Sequence, residues 1–404
     1  MSESISLKQT ERGLKYLFLT FLKIGCVSFG GHMALIAVVQ KEMIEKDNSI
    51  SQENLLNAVS IASLLPGPLA VNVVAYLGYH LHRKSGLVIS MLGILLPACF
   101  LMSILSWCYF NYINIKDLSG VMIYTVAAVS AIILSTGLNM FLKEVYGNYA
   151  KMILCLVSVF FLYIIKGYLI IVVLFVIGGL TGIFCKLGNL TGDRDKADKV
   201  TRLTVDTKWV LSSLLLIYGF FVSGAYRHID NIFIKIASVF SGISLSLFGG
   251  GYVMIPIMQS LFVTDLKWLT NREFIDSIAF SQLTPGPILV SAFFTGYKLA
   301  GFAGAGLATL AIFLPSAILM IMVSKIFNDH INSVKMKNAL AGIKPVVVGM
   351  IFASAVKLFF SVPVTPVAII LFITSFILSF RLKFNPVYLI GISLVMGLVL
   401  HLTY

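Results

Sequence analysis

Ser28-Phe29-Gly30-Gly31-His32 is followed by Leu65-Pro66-Gly67-Pro68-Leu69, and the pattern returns 219 residues later as Leu247-Phe248-Gly249-Gly250-Gly251 and Thr284-Pro285-Gly286-Pro287-Ile288. Gln40 recurs at the same offset as Gln259. After a single-residue deletion, Gly78-Tyr79 matches Gly296-Tyr297, Leu96-Pro97 matches Leu314-Pro315, and Leu101-Met102 matches Leu319-Met320. Apolar sequence yields scattered Leu and Ile matches by chance. Two Gly pairs and two PGP triplets in register are a different matter, and they mark an internal duplication.

The surroundings of these motifs say which solvent the chain folds in. Of 404 residues, 58% are apolar and 12% charged, and the mean hydropathy is +0.96. A soluble domain carries about a quarter charged residues, so an ordinary soluble enzyme is excluded. A spanning helix needs about 20 apolar residues, and the chain contains about thirteen such stretches. They run near 17–40, 54–81, 86–111, 119–141, 150–166, 168–187, 208–226, 233–260, 273–299, 302–327, 336–359, 362–380 and 385–403. Runs this long and unbroken also exclude an outer-membrane barrel, whose short strands alternate. The expected fold is all-α and polytopic.

Two repeats of six spans, residues 14–187 and 231–404, flank a segment 188–230 that holds a polar loop and one additional helix. An odd helix between the halves inserts the second upside down relative to the first. Inverted repeats of this kind are common in secondary transporters, with the substrate site near the midplane. Counting Lys and Arg over alternating loops from a cytoplasmic N-terminus puts 21 inside and 8 outside, a bias that supports N-inside, C-outside. The formal net charge of +13 is carried mostly by short loops facing lipid headgroups, so nucleic acid is not an expected partner. Residues 1–15 are polar and give no sign of a cleavable signal peptide. The five cysteines form no C-x-x-C pair, no motif for nucleotide, zinc or nucleophilic catalysis stands out, and neither enzyme chemistry nor a cofactor is expected.

Proline removes a backbone donor and glycine permits angles other residues avoid. In lipid, the freed groups are tolerated only where protein or a wet cavity supplies partners. Each PGP triplet is therefore expected to break its span, leaving a half-helix that starts near Leu69 or Ile288 and points free N–H groups and a positive dipole end into the protein. A plain kink at a helix crossing is the alternative. For the Gly pairs, close helix packing competes with lining of a site. Lys23 could bind an anion or snorkel to the surface, and His32 could bind an anion, carry a proton or sit neutral in the core. All 17 Asp and Glu fall in loops or near span ends, Glu273 and Asp276 deepest, which speaks for an anionic or neutral substrate rather than a cation.

Two halves that each carry FGG, then PGP, then G-Y and L-P resemble the chromate transporter family, whose long members are fused inverted duplications, over about residues 14–403. The resemblance implies an inner-membrane exporter of chromate, or of related oxyanions such as sulfate, in a bacterium or archaeon, driven by ion gradients. The motif positions carry over to Phe29, Gly30, Gly31, Pro66, Gly67 and Pro68, and to Phe248, Gly249, Gly250, Pro285, Gly286 and Pro287. Asp276 and Gln282 fit the stretch before the second PGP, where the first half has Asn57 and Ser63. The expected anion shell is backbone N–H groups aided by His32, Lys23, Gln282, Ser63 and Thr284. An importer or exchanger and a passive anion channel are the competing readings, and a homodimer is one assembly open to the chain.

Overall fold

The computed structural model describes residues 13–28, 32–112, 115–165, 168–188, 205–247, 254–327, 334–360 and 363–403. Every regular element among them is helical. In chain order these are α1 (Leu14–Val27), α2 (His32–Val39, continuing as a π-turn Gln40–Lys46), α3 (Gln52–Leu64), α4 (Leu69–Asn111), α5 (Ile115–Glu144), α6 (Tyr149–Ile164), α7 (Tyr168–Phe184) and α8 (Val205–Val222). The second half adds α9 (Ile232–Ser246), α10 (Met254–Gln259, continuing as Ser260–Asp265), α11 (Asn271–Leu283), α12 (Ile288–Val290 as a 3-10 turn, then Ser291–Phe327), α13 (Val334–Phe359), α14 (Pro366–Phe380) and α15 (Pro386–Thr403).

The spans read near 17–40 and 54–81 are not continuous. Lys23 Nζ lies 2.6 Å from Glu42 Oε2, although nineteen residues of straight helix cover about 28 Å. The Tyr16 hydroxyl also donates to Asp47. So α1 and α2 run antiparallel as a hairpin rather than as one span; Phe29-Gly30-Gly31 lie outside the described residues. Asn54 and His80 meet at 3.3 Å, which makes α3 and the first part of α4 a second hairpin with PGP at its tip. In the second half the Phe280 and Phe294 rings pack across Pro285-Gly286-Pro287, centroids 6.1 Å apart. A Pro-Gly-Pro break lets the chain reverse, so it makes a tip where the sequence reading expected a break between two half-helices of one span.

The long helices α4 and α12 each reverse once more. The backbone leaves helical geometry at His82 and Arg83 (φ 53°) and again at Ala300 and Gly301 (φ 59°). Beyond the turn Ser90 Oγ donates to the Val74 carbonyl at 3.3 Å. A Cβ on Gly296 or on Gly304 would come within 2.4 Å of the other's carbonyl oxygen, so small residues let the two backbones touch. By length and composition, four described helices suffice to cross a membrane: Leu69–Asn111, Tyr124–Glu144, Ile288–Ser324 and Lys337–Phe359. The other apolar helices are shorter.

The chain forms two compact units, and neither coincides with a sequence half. The first comprises Met1–Cys108, Asp206–Gly251 and Phe280–Lys325; the second comprises Tyr109–Val205, Tyr252–Ala279 and Ile326–Tyr404. In the first, the hairpins pack through small residues: a Cβ on Gly25 would sit 2.8 Å from the Ile94 carbonyl oxygen. In the second, α13 packs against α5, α6 and α7, and α5 against α14 and α15. Gly178 and Gly182 there let α7 approach Gly342 of α13 closely. Apolar side chains such as Phe100, Leu156, Leu216 and Ile370 face outward, as helices in lipid require.

Candidate oxyanion site

Within the first unit the two PGP tips are tied to the residues that precede the opposite FGG motifs. Gly67 N donates to the Leu247 carbonyl at 2.6 Å, and Gly286 N donates to the Ser28 carbonyl at 2.8 Å. Donors and acceptors are each 219 residues apart, so one bond is the repeat image of the other. Gly67 and Gly286 take φ of 120° and 113°, a region that side-chain-bearing residues avoid. A Cβ on Gly67 would meet Ser316 Cβ at 2.2 Å and Asn72 Nδ2 at 2.7 Å, whereas one on Gly286 would meet only Ala98 Cβ, at 3.3 Å. Pro68, Pro285 and Pro287 are buried and Pro66 is half-buried.

Beyond each tip a helix begins, at Leu69 and at Ile288, and its first amides have no partner within the helix. On the chain segments that flank the tips are buried polar atoms that the protein leaves unpaired: Gln282 Oε1 and Nε2, Ser291 Oγ, Ser244 Oγ and Asn72 Oδ1. Asn72 and Ser291 each stand four residues after the second proline, Gln282 three before its triplet, and Ser244 three before Leu247. Buried polar atoms without partners cost about 1–3 kcal/mol each. Their place on the segments flanking the tips makes these segments the candidate lining, where a ligand or water would complete the bonding. Gln282 and the two serines offer donors; Asn72 offers an acceptor, because its Nδ2 is engaged by the Pro66 carbonyl at 3.3 Å.

The other residues expected at the site divide sharply. Lys23 is exposed and ion-paired with Glu42, whose other oxygen takes Lys46 at 2.7 Å, so it braces the hairpin. Ser63 is exposed and donates to the Ser60 carbonyl, away from any anion. Thr284 is buried, but its hydroxyl donates to the Ser281 carbonyl at 3.0 Å. His32 opens α2, and its side chain lies outside the described residues, as do Phe29, Gly30, Gly31, Phe248, Gly249 and Gly250. Sequence reading passed over Asn72, Ser291 and Ser244; their matching positions after PGP were the available signal for the first two. The carboxylates that sequence reading put deepest, Asp276 and Glu273, lie in the first turns of α11 and are buried at 0% and 6% exposure.

An all-helical chain with apolar helices long enough to span a membrane and broken hairpins enclosing unpaired polar groups is a polytopic membrane transporter. The chromate transporter family matches residues 15–183 and again 234–398, and the chain belongs to that family. It is 26% identical over 391 residues to a chromate transport protein of Cupriavidus metallidurans, covering 96% of this chain and 93% of the relative. A chromate transport protein of Pseudomonas aeruginosa is 28% identical over 357 residues, 85% of this chain and 80% of its own. An uncharacterised transporter of Methanocaldococcus jannaschii is 29% identical over 395 residues, 94% and 93% of the two chains. No solved structure matches.

Proposed function

We propose that the protein exports chromate, or a sulfate-like oxyanion, across the inner membrane of a bacterium or archaeon by alternating access. The observation that carries this reading is the reciprocal bonding of the PGP tips to the residues before the opposite FGG. Each bond holds a PGP tip beside the segment before the opposite FGG, and the unpaired donors lie on the chain segments that flank these tips. A tetrahedral dianion needs donors on several sides and little net charge nearby to hold it too tightly; backbone amides, Gln282, Ser244 and Ser291 provide the first, and helix dipoles supply partial positive charge. His32 remains part of the proposed shell through its place at the start of α2.

The hairpins also clarify the inverted arrangement. Arms of 13 or 14 residues, such as α3 and α1, reach about 20 Å, short of the roughly 30 Å hydrocarbon core. They dip in and return. With the first-half hairpins entering from the cytoplasm and those of the second half from outside, Lys41 and Lys46 move inside while Lys267 and Arg272 move outside, and the 21-to-8 bias is unchanged. Rocking of one repeat against the other around fixed tips then exposes the anion to each side in turn.

The test is uptake of labelled chromate and sulfate into everted vesicles holding the protein, with Gly67→Ala and Gly286→Ala beside the wild type. Saturable chromate uptake that both substitutions reduce is expected. Uptake that fails to saturate points to a channel, and no uptake of either anion by inserted protein overturns the substrate.

A further inference from the structure

We propose that Asp276, held between Tyr109 and Arg272 in the second unit, is a proton-binding site that couples an ion gradient to movement of the anion. The proposal rests on the transporter reading above. Asp276 is fully buried. Its Oδ2 accepts a hydrogen bond from the Tyr109 hydroxyl at 2.6 Å and lies 3.8 Å from Arg272 Nε, too far for a bond from that nitrogen. Its Oδ1 is buried with no partner, as are Arg272 Nε and one terminal nitrogen of the same guanidinium.

The charged and titratable groups facing this carboxylate are Arg272 and Glu273 on α11 and Tyr109 near the end of α4. Glu273 is already committed: its Oε2 accepts from Thr270 N at 2.7 Å and from Thr270 Oγ1 at 2.9 Å. Two carboxylates against one guanidinium leave the buried group one negative charge from neutrality, and uncompensated buried charge is costly. A proton on Oδ1, the oxygen that lacks a partner, removes that charge. Buried carboxylates in transporters serve such relays.

The connection to the anion is covalent. α11 carries Asp276, continues for seven residues to Leu283, about 10 Å, presents Gln282 on the way, and runs into Pro285. The charge state of Asp276 therefore acts on the arm that bears the second tip.

The experiment uses the full chain in proteoliposomes. Wild type with chromate and an imposed gradient of one pH unit should accumulate the anion about tenfold per coupled proton. Asp276→Asn, which imitates the protonated residue, should lose that accumulation yet keep chromate–chromate exchange in the absence of a gradient. Accumulation by Asp276→Asn equal to wild type overturns the proposal. So does loss of exchange by correctly inserted Asp276→Asn, since the imitation of the protonated state should still carry anion. A second measurement stands apart from transport: infrared pH titration of the wild type should show a buried carboxylic-acid band that Asp276→Asn removes, and its absence overturns the proton site. If the wild type moves neither chromate nor sulfate, the anion reading has failed and the infrared band still decides the proton site.

Discussion

The amide of Gly67 reaches across to the carbonyl of Leu247 at 2.6 Å, and the repeat image of that bond runs from Gly286 to Ser28 at 2.8 Å. The images are not equally tight. Alanine at either glycine adopts a disfavoured backbone angle, costing about 1–3 kcal/mol. At Gly67 the new Cβ also enters the space of Ser316 and Asn72, while at Gly286 it has only Ala98 nearby. Gly67→Ala should therefore lose more transport and more thermal stability than Gly286→Ala. Adding Ser316→Gly to Gly67→Ala should recover part of the stability. Equal losses, or no recovery in the double variant, would show that the contact with Ser316 does not set the cost.

Gln282 is expected to separate function from stability. Both polar atoms of its buried amide are unpaired, so the empty protein carries their desolvation cost. Gln282→Leu removes that cost and should leave the melting temperature unchanged or raised. If the amide donates to the anion, the same variant raises the KM for chromate about tenfold, equivalent to about 1.4 kcal/mol. A lowered melting temperature with unchanged KM would place Gln282 in the packing rather than at the ligand.

Cross-linking checks the first hairpin directly. Lys23 and Glu42 touch at 2.6 Å, whereas a continuous helix would hold them about 28 Å apart. In a background lacking the five native cysteines, Lys23→Cys with Glu42→Cys should be joined by a short bismaleimide that bridges neighbouring side chains but not the length of a straight helix, detectable by mass spectrometry. Recovery of unbridged cysteines only, in inserted protein, would restore the single-span reading of residues 17–40.

Much of this was written plainly in the chain. The duplication, the breaks at Pro66-Gly67-Pro68 and Pro285-Gly286-Pro287, and the helix starts at Leu69 and Ile288 all follow from what proline and glycine do to a backbone in lipid. Hydropathy could not tell a span that breaks from a hairpin that returns, because an apolar run of 25 residues looks the same either way. Only the meeting of Lys23 with Glu42, and of Asn54 with His80, separates them. Spacing along the chain could rank Asp276 and Glu273 as the deepest carboxylates, but the burial of Asp276 against Tyr109 comes from tertiary packing that spacing does not report. Asn72 and Ser291 stand at matching positions after the two PGP triplets, but a lone amide and a lone hydroxyl in an apolar helix give that match little weight until their unpaired atoms are seen.

Glycine packing in the second unit gives a prediction independent of transport. A Cβ on Gly342 of α13 would lie 2.0 Å from the Gly178 carbonyl oxygen and 2.7 Å from Gly182, all backbone atoms that cannot swing aside. Relief would require α7 and α13 to separate, giving up contact that small residues create in a membrane bundle. Gly306 of α12 and Gly391 of α15 are helical, and an added Cβ at either would have nothing within 4 Å; there, alanine should gain up to about 1 kcal/mol from reduced unfolded-state entropy and better helix propensity. Gly342→Ala should therefore lower the melting temperature of the detergent-solubilised protein markedly, while Gly306→Ala and Gly391→Ala leave it level or raise it. A tolerant Gly342→Ala would mean that α13 is held in place by its ion pair to α5, Lys344 with Glu144 at 2.7 Å, and by side-chain packing more than by its close backbone approach to α7.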